Sequence, residues 1–295
     1  MSNQAKVAIV TGANKGIGYA IVRNLALSYY TSSSSKHPFI IYLSARNESL
    51  GKASLEQIRQ EFVGRKLLQN DGGNIDIKFL KIDLTNKETI DVAAEVVNHE
   101  HGGLDILINN AGTAFKGSAF DSNVVRTTLA TNFYGTLEVC NKFIPLFRPN
   151  GRLISVSSEA GSLRILSPEL RKKFTDPELD IDGLIKLMQL FQDAVDRGTW
   201  KEEGWPTQAY AISKIGVTSL NRIFARHFKA EGKEIIVNAC CPGWVKTDMA
   251  GPHALLTPDQ GAETPVFLAL DEETVPNAPN GELWKSKQIK EWHLL

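Results

Sequence analysis

Short, continuously apolar runs alternate along this chain with longer stretches whose apolar residues recur at helical spacing, from Lys6 onward. The runs are KVAIVT (6–11), FIIYLSA (39–45), IDIKFLKI (75–82), LDILINN (104–110), GRLISVS (151–157) and EIIVNAC (234–240). Each is rich in Val, Ile and Leu at successive positions, so both faces of the strand would be apolar. That pattern suits strands of a parallel sheet covered on both sides. Helix-length segments lie between them, near 16–30, 50–63, 86–100, 123–147 and 207–231. Alternation of β and α at these lengths predicts a doubly wound parallel sheet, the Rossmann fold, with residues 1–295 forming a single α/β domain.

Three segments interrupt the rhythm. TSSSSKHP (31–38) predicts a mobile serine-rich loop, and residues 64–74 end in the flexible run Asn70-Asp71-Gly72-Gly73-Asn74. The third, from about 160 to 206, is too short for a core of its own and reads as a helical insertion within the domain. Ser167-Pro168-Glu169 and Thr175-Asp176-Pro177-Glu178 both look like helix starts, a cap before proline with acids in the first turn. A helix over about 180–197 should follow, with Leu184, Leu187, Met188 and Phe191 on its packing face.

Composition narrows the function. The 33 basic and 33 acidic side chains cancel, and no basic cluster stands out, which argues against nucleic acid as partner. No apolar run is long enough to cross a bilayer and the N-terminus shows no signal peptide, so a cytoplasmic protein without a membrane partner is expected. Cys140, Cys240 and Cys241 make neither a disulfide framework nor a metal site. His227, His99 and His101 lack ligand spacing and read as surface residues; no metal is expected.

TGANKGIG (11–18) follows an apolar strand directly and opens a helix, the context a dinucleotide turn requires. Gly12 permits the tight turn, Gly16 the approach of backbone to a pyrophosphate, and Gly18 close helix packing. A purely structural glycine turn is the alternative; the absence of a GK[ST] sequence excludes a P-loop. An NAD site usually has an acid at the end of the second strand, for the ribose hydroxyls. Here that strand ends Ser44-Ala45-Arg46, no acid appears before Glu48, and Lys15 adds a cation within the turn. Two cations without a carboxylate favour a 2′-phosphate, hence NADP(H).

Further along, Tyr210-Ala-Ile-Ser-Lys214 places a phenol and an ammonium one helical turn apart. A nearby cation favours phenolate, so such a tyrosine can exchange a proton nearer neutrality. Alone the pair is weak evidence, because it recurs by chance on solvated helices. Behind a nucleotide turn it makes a mechanism.

Together these residues resemble the short-chain dehydrogenases/reductases over essentially the whole chain. TGANKGIG resembles that family's cofactor turn, Asn109-Asn110-Ala111-Gly112 its NNAG segment, and Tyr210…Lys214 its YxxxK. Ser158 and Asn132 fall at its catalytic serine and asparagine, Asp83-Leu84 at its adenine contact, and Pro242-Gly243 with Val245 and Thr247 at the loop over the nicotinamide. The resemblance implies Tyr210, Lys214, Ser158 and Asn132 as the catalytic group. It implies cofactor contacts at Gly12, Asn14, Lys15, Gly16, Ile17, Gly18, Arg46, Asp83, Leu84, Asn110, Tyr210, Lys214, Val245 and Thr247. In that scheme Tyr210 protonates the carbonyl oxygen, Ser158 stabilises the alkoxide, Lys214 lowers the tyrosine pKa and binds the ribose, and Asn132 holds a water for reprotonation.

The chain is most similar to the monomeric NADPH-dependent carbonyl reductases, through TNFYGT (131–136), GWPTQAYAISKIGVTSLNRI (204–223), NACCPGWVKTDMAGP (238–252) and GAETPVFLAL (261–270). Most family members place the serine about a dozen residues before the tyrosine; here fifty-two separate them. In the carbonyl reductases a comparable insertion is helical and covers the surface others use to pair, which implies a monomer. The implied reaction is NADPH-dependent reduction of ketones, aldehydes or quinones, with a small-molecule carbonyl substrate. A dedicated reductase or dehydrogenase of one terpenoid, steroid or alkaloid-type metabolite is the alternative, and an NADP-sensing regulator a remote one, because all four catalytic positions are kept.

Several local choices stay open at this level. Alternation along GRLISVSS does not separate Ser157 from Ser158, and the following motifs align Ser158 with the catalytic position. Trp244 either lines the substrate cleft, favouring flat apolar carbonyl compounds, or packs beneath its loop. Glu159 stands where the carbonyl reductases have larger apolar residues. Its carboxylate would either draw polar or cationic ketones or turn away to solvent.

Overall fold

The computed structural model describes residues 4–31, 37–117 and 119–292, so most of the serine-rich stretch expected to be mobile, 32–36, lies outside the described residues. The six apolar runs become β1 (Lys6–Val10), β2 (Phe39–Ala45), β3 (Ile75–Lys81), β4 (Leu104–Asn109), β5 (Phe147–Val156) and β6 (Ile236–Cys241). Two short strands follow, β7 (Leu283–Lys285) and β8 (Gln288–Lys290). Among the described residues they join one eight-stranded sheet in the order β3-β2-β1-β4-β5-β6-β7-β8, in which only the β7–β8 pair is antiparallel.

Both faces of this sheet are buried, as the apolar runs require. Val7 and Ile9 enter one core while Ala8 and Val10 enter the other, and Leu107 opposes Ile106 and Ile108 in the same way. Helices α1 (Gly16–Tyr30) and α2 (Glu48–Phe62) cover one face. Helix α3 (Lys87–His101) lies on the other.

The single helix expected over 123–147 is interrupted. α4 (Ser122–Leu129) passes through a π-helical turn, Ala130–Gly135, into α5 (Thr136–Phe143). Within the π turn, a Cβ on Gly135 would lie 2.5 Å from the Leu84 carbonyl, so the helix presses on the segment after β3. The α-helix ends at Phe143, Pro145 lies in the 3-10 turn Ile144–Leu146 that follows, and β5 begins at Phe147, four residues before the expected strand.

The insertion forms α6 (Pro168–Thr175) and α7 (Ile181–Arg197). Ser167 caps α6 by accepting from Leu170 N at 3.3 Å. The second expected start does not open a helix. Thr175 is still inside α6, its hydroxyl donating to Arg171 O at 2.8 Å, and Asp176 only turns the chain by accepting from Glu178 N. Asp180 is the cap instead, accepting from Gly183 N at 2.7 Å. Leu184, Leu187, Met188 and Phe191 are all buried against α4 and α8 (Ala209–Ala230). Burying such a side chain contributes about 1.5–3 kcal/mol. Met188 Sδ would lie 3.0 Å from a Cβ on Gly216, so that glycine lets α7 seat directly on α8. The last long helix, α9 (Pro258–Leu270), packs on α1.

Candidate active site

The strand order reverses at β1, which lies between β2 and β4. In open α/β sheets such a switch leaves a crevice beyond the carboxyl ends of the strands, where ligands bind. The glycine turn, Asn110, Asp83, Ser158 and Val245 all follow the carboxyl ends of strands in this sheet.

Gly12 and Gly16 have φ of +63° and +59°, the left-handed region that favours glycine. At Gly18 the constraint is space: a Cβ there would lie 2.5 Å from both Asn110 Nδ2 and Gly12 O. Asn110 locks the turn by donating from Nδ2 to Thr11 O (2.9 Å) and Gly12 O (3.1 Å). Thr11 Oγ1 accepts in return from the backbone N–H groups of Asn110 and Ala111, each at 3.0 Å. Asn14 ties the turn to α2 by accepting from Ser54 Oγ at 2.6 Å. Ile17 packs near Gly261, and Thr247 Cγ2 would sit 3.2 Å from a Cβ on Gly16. Helix α1 has no side-chain cap and no acid in its first turn. Its free N–H groups and positive dipole end therefore suit a pyrophosphate.

The cations expected near a 2′-phosphate border this turn. Arg46 is exposed just past β2. Glu48, the first acid after it, is held by Lys52 at 2.6 Å within α2. Lys15 pairs with Asp248 at 2.6 Å, but both side chains are mostly exposed, 67% and 78%, so the pair is weak and exchangeable. These donors fit NADP(H). Asp83 accepts from the N–H and hydroxyl of Thr85, which fixes the turn that presents Leu84. Val245 is buried and bridges to Leu256, anchoring the loop over the crevice.

Tyr210 and Lys214 lie in the first turns of α8, with the Lys214 Nζ 5.6 Å from the centre of the phenol ring. Ser158 follows β5 and neighbours the Tyr210 phenol closely enough to lower its pKa. Ser158 Oγ also accepts from Ala160 N at 3.1 Å, which leaves its proton free to donate. Ser157 points elsewhere: it is buried, donates to Lys214 O at 3.1 Å and bonds Thr218 Oγ1 at 2.7 Å.

The electrostatics differ from the expectation that Lys214 lowers the tyrosine pKa. Burial raises the Tyr210 phenol to about 12; the Cys241 thiol adds to this and the Ser158 hydrogen bond opposes it. Burial also lowers the Lys214 ammonium from 10.5 to about 8. The ammonium is spent on Val156 O at 2.7 Å and does not offset the desolvation of the phenol. The unfolded chain therefore binds more protons at Lys214 between pH 8 and 10.5, and stability rises with pH across that window.

Asn132 sits in the π turn and is buried. Its side chain donates to Thr113 O (2.9 Å) and Ser213 Oγ (3.0 Å) and accepts from Thr113 N (2.7 Å). The side chain is thus fully engaged with protein. Trp244 is 52% exposed, so it does not pack beneath its loop. Glu159 neither enters the crevice alone nor turns to open solvent; it pairs with Lys285 of β7. His101 is not a surface residue: it packs against Tyr42, whose hydroxyl is 2.8 Å from Nε2.

Sequence reading missed Thr11, Thr113, Ser213 and Lys285. Thr11 is the first residue of the quoted glycine turn and Thr113 immediately follows the NNAG segment, a signal of position. Ser213 and Lys285 had none. Among the described residues, no group of three His, Cys, Asp or Glu could hold a metal ion, and no helix is long and apolar enough to cross a membrane.

Residues 6–167 and 201–255 match the family model for short chain dehydrogenase, and the gap between them contains the whole of α6 and α7. A Rattus norvegicus protein named carbonyl reductase (NADPH) 1 is 40% identical over 301 residues, covering 99% of this chain and 100% of the relative. The Homo sapiens protein of the same name is 39% identical over 300 residues with the same coverage. Among solved structures, salutaridine reductase from Papaver somniferum superposes with a TM-score of 0.78 at 25% identity, covering 95% of this chain and 99% of that one.

Proposed function

The chain belongs to the short-chain dehydrogenase family, and we propose that it is an NADP(H)-dependent oxidoreductase that reduces ketones, aldehydes or quinones to alcohols. One observation carries the reading: the Ser158 hydroxyl neighbours the Tyr210 phenol and holds its pKa down against burial, with Lys214 behind them, at the carboxyl end of a sheet whose glycine turn presents uncapped N–H groups. The full-length likeness to carbonyl reductase (NADPH) 1 supports it. When bound, NADPH supplies the hydride.

The chain's own residues handle the oxygen. Tyr210 gives its proton to the carbonyl oxygen, and its raised pKa keeps that proton in place at neutral pH. Ser158 donates a hydrogen bond to the same oxygen as negative charge develops. Lys214, one turn along α8, stabilises the phenolate left on Tyr210 and orients the ribose. Asn132 braces the backbone beside Lys214 through Thr113 and Ser213. Trp244, half exposed beside the crevice, favours flat apolar carbonyl compounds over small polar ones. Three unpaired cysteines accord with a reducing compartment such as the cytosol.

The test is NADPH consumption against a panel of carbonyl compounds as a function of pH. At saturating NADPH, kcat/KM should be level below pH 8 and fall above it, by about tenfold per unit, as Lys214 loses its proton. Alcohol oxidation with NADP, which needs the phenolate that the Lys214 ammonium stabilises, should instead rise toward pH 8 and level off above it. Absence of turnover across the panel would refute the reading; a reduction profile flat to pH 10 would remove Lys214 from it.

We also propose that the protein is a monomer. The insertion helix α7 covers α4 and α8 with buried apolar side chains, closing the face that family members lacking an insertion use to pair. Light scattering should return the 32.5 kDa of one chain, and a concentration-independent mass of twice that would exclude it.

A further inference from the structure

We propose that the C-terminal hairpin is a clamp on the catalytic serine, with Lys285 and Trp292 as positioning residues; the inference rests on the reductase reading above. Ser158 depends on the turn that follows it, because Ala160 N–H occupies one lone pair of its hydroxyl and so directs the proton outward. Whatever holds residues 159–161 therefore aims that proton.

The turn is held from both sides. On its inner side it lies flush against α8: a Cβ on Gly161 would be 2.9 Å from Ile215 N and from the carbonyl carbon of Lys214. On its outer side two groups of the C-terminal segment grip it. β6 lies between β5 and β7, and Cys241 pairs in register with Lys285. The Lys285 ammonium reaches across the end of β6 to the Glu159 carboxylate, bridging the carboxyl ends of β5 and β7. Two residues past β8, the buried Trp292 donates from Nε1 to Gly161 O at 2.8 Å. Arg222 of α8 stands over the Trp292 ring, 5.8 Å from its centre, which fixes the indole to the helix that carries Tyr210.

The ion pair is about one-third exposed, 34% and 35%, and such a pair adds little to stability. Its position next to the reacting hydroxyl is another matter, because small displacements of a catalytic group lower rates steeply. The clamp thus links Glu159, which has no evident use in the crevice, to the placement of Ser158.

The experiment uses the full chain and a carbonyl compound that the wild type reduces. Lys285→Met should lower kcat about tenfold while the KM for NADPH stays within about twofold. Lys285→Arg should retain about a third or more of wild-type kcat, since the bond to Glu159 survives. Glu159→Gln, a milder change, should lie between them. In a Ser158→Ala background Lys285→Met should cost nothing further, because the clamp acts through that hydroxyl. An unchanged kcat in Lys285→Met, or the same tenfold loss with and without Ser158, would overturn the clamp. Should Lys285→Met not fold, Glu159→Gln and Trp292→Phe in the two backgrounds decide by the same rule. A wild type inactive on every carbonyl compound would instead overturn the reductase reading.

Discussion

Tyr210→Phe should lower kcat for carbonyl reduction by about 10³-fold or more, the range that removal of a positioned proton donor costs. The substitution deletes one oxygen and keeps the ring. Packing in the first turn of α8 and the ring's contact with Lys214, 5.6 Å from its centre, both survive. The effect should therefore be confined to chemistry: NADPH affinity, followed by the fluorescence of the bound cofactor, should stay within about twofold. Burial holds the phenol near pKa 12, so the wild type keeps its proton throughout the working range. A variant with wild-type turnover would show that the proton comes from elsewhere.

Arg46→Asp should reverse the cofactor preference. Arg46 is exposed at the end of β2, where an acid would meet the ribose hydroxyls of NADH. A hydrogen bond to a charged group contributes about 1.5–3 kcal/mol, or roughly 10–100-fold. Replacing that contact by a carboxylate adds repulsion of comparable size. The ratio of kcat/KM for NADPH over NADH should fall by about 10³-fold. Lys15→Ala should cost less, about tenfold, because Lys15 already shares its charge with Asp248. Unchanged preference in Arg46→Asp would place the phosphate site elsewhere.

Two corrections mark the boundary of what pattern reading reaches here. β7 and β8 escape it because each has three residues and their turn, Ser286-Lys287, adopts φ of +50° and +60° without glycine or asparagine. The expected fall in the tyrosine pKa fails because spacing reports that Lys214 is near, not that its ammonium faces Val156 O and is itself desolvated. Residue alternation cannot separate Ser157 from Ser158; motif alignment chooses Ser158, and packing adds the physical reason, since the Ser157 hydroxyl is sealed against Thr218.

Local order along the chain was enough to define the doubly wound sheet, the nucleotide turn, the YxxxK pair and the helix bearing Leu184, Leu187, Met188 and Phe191. Periodicity and turn chemistry act between residues close in sequence, and these features depend on nothing more distant. Tertiary structure alone decided which way the two charges are tuned, and that Glu159 answers to a lysine 126 residues away. Those outcomes follow from desolvation and from contacts between remote segments, which exist only once the chain has closed its core.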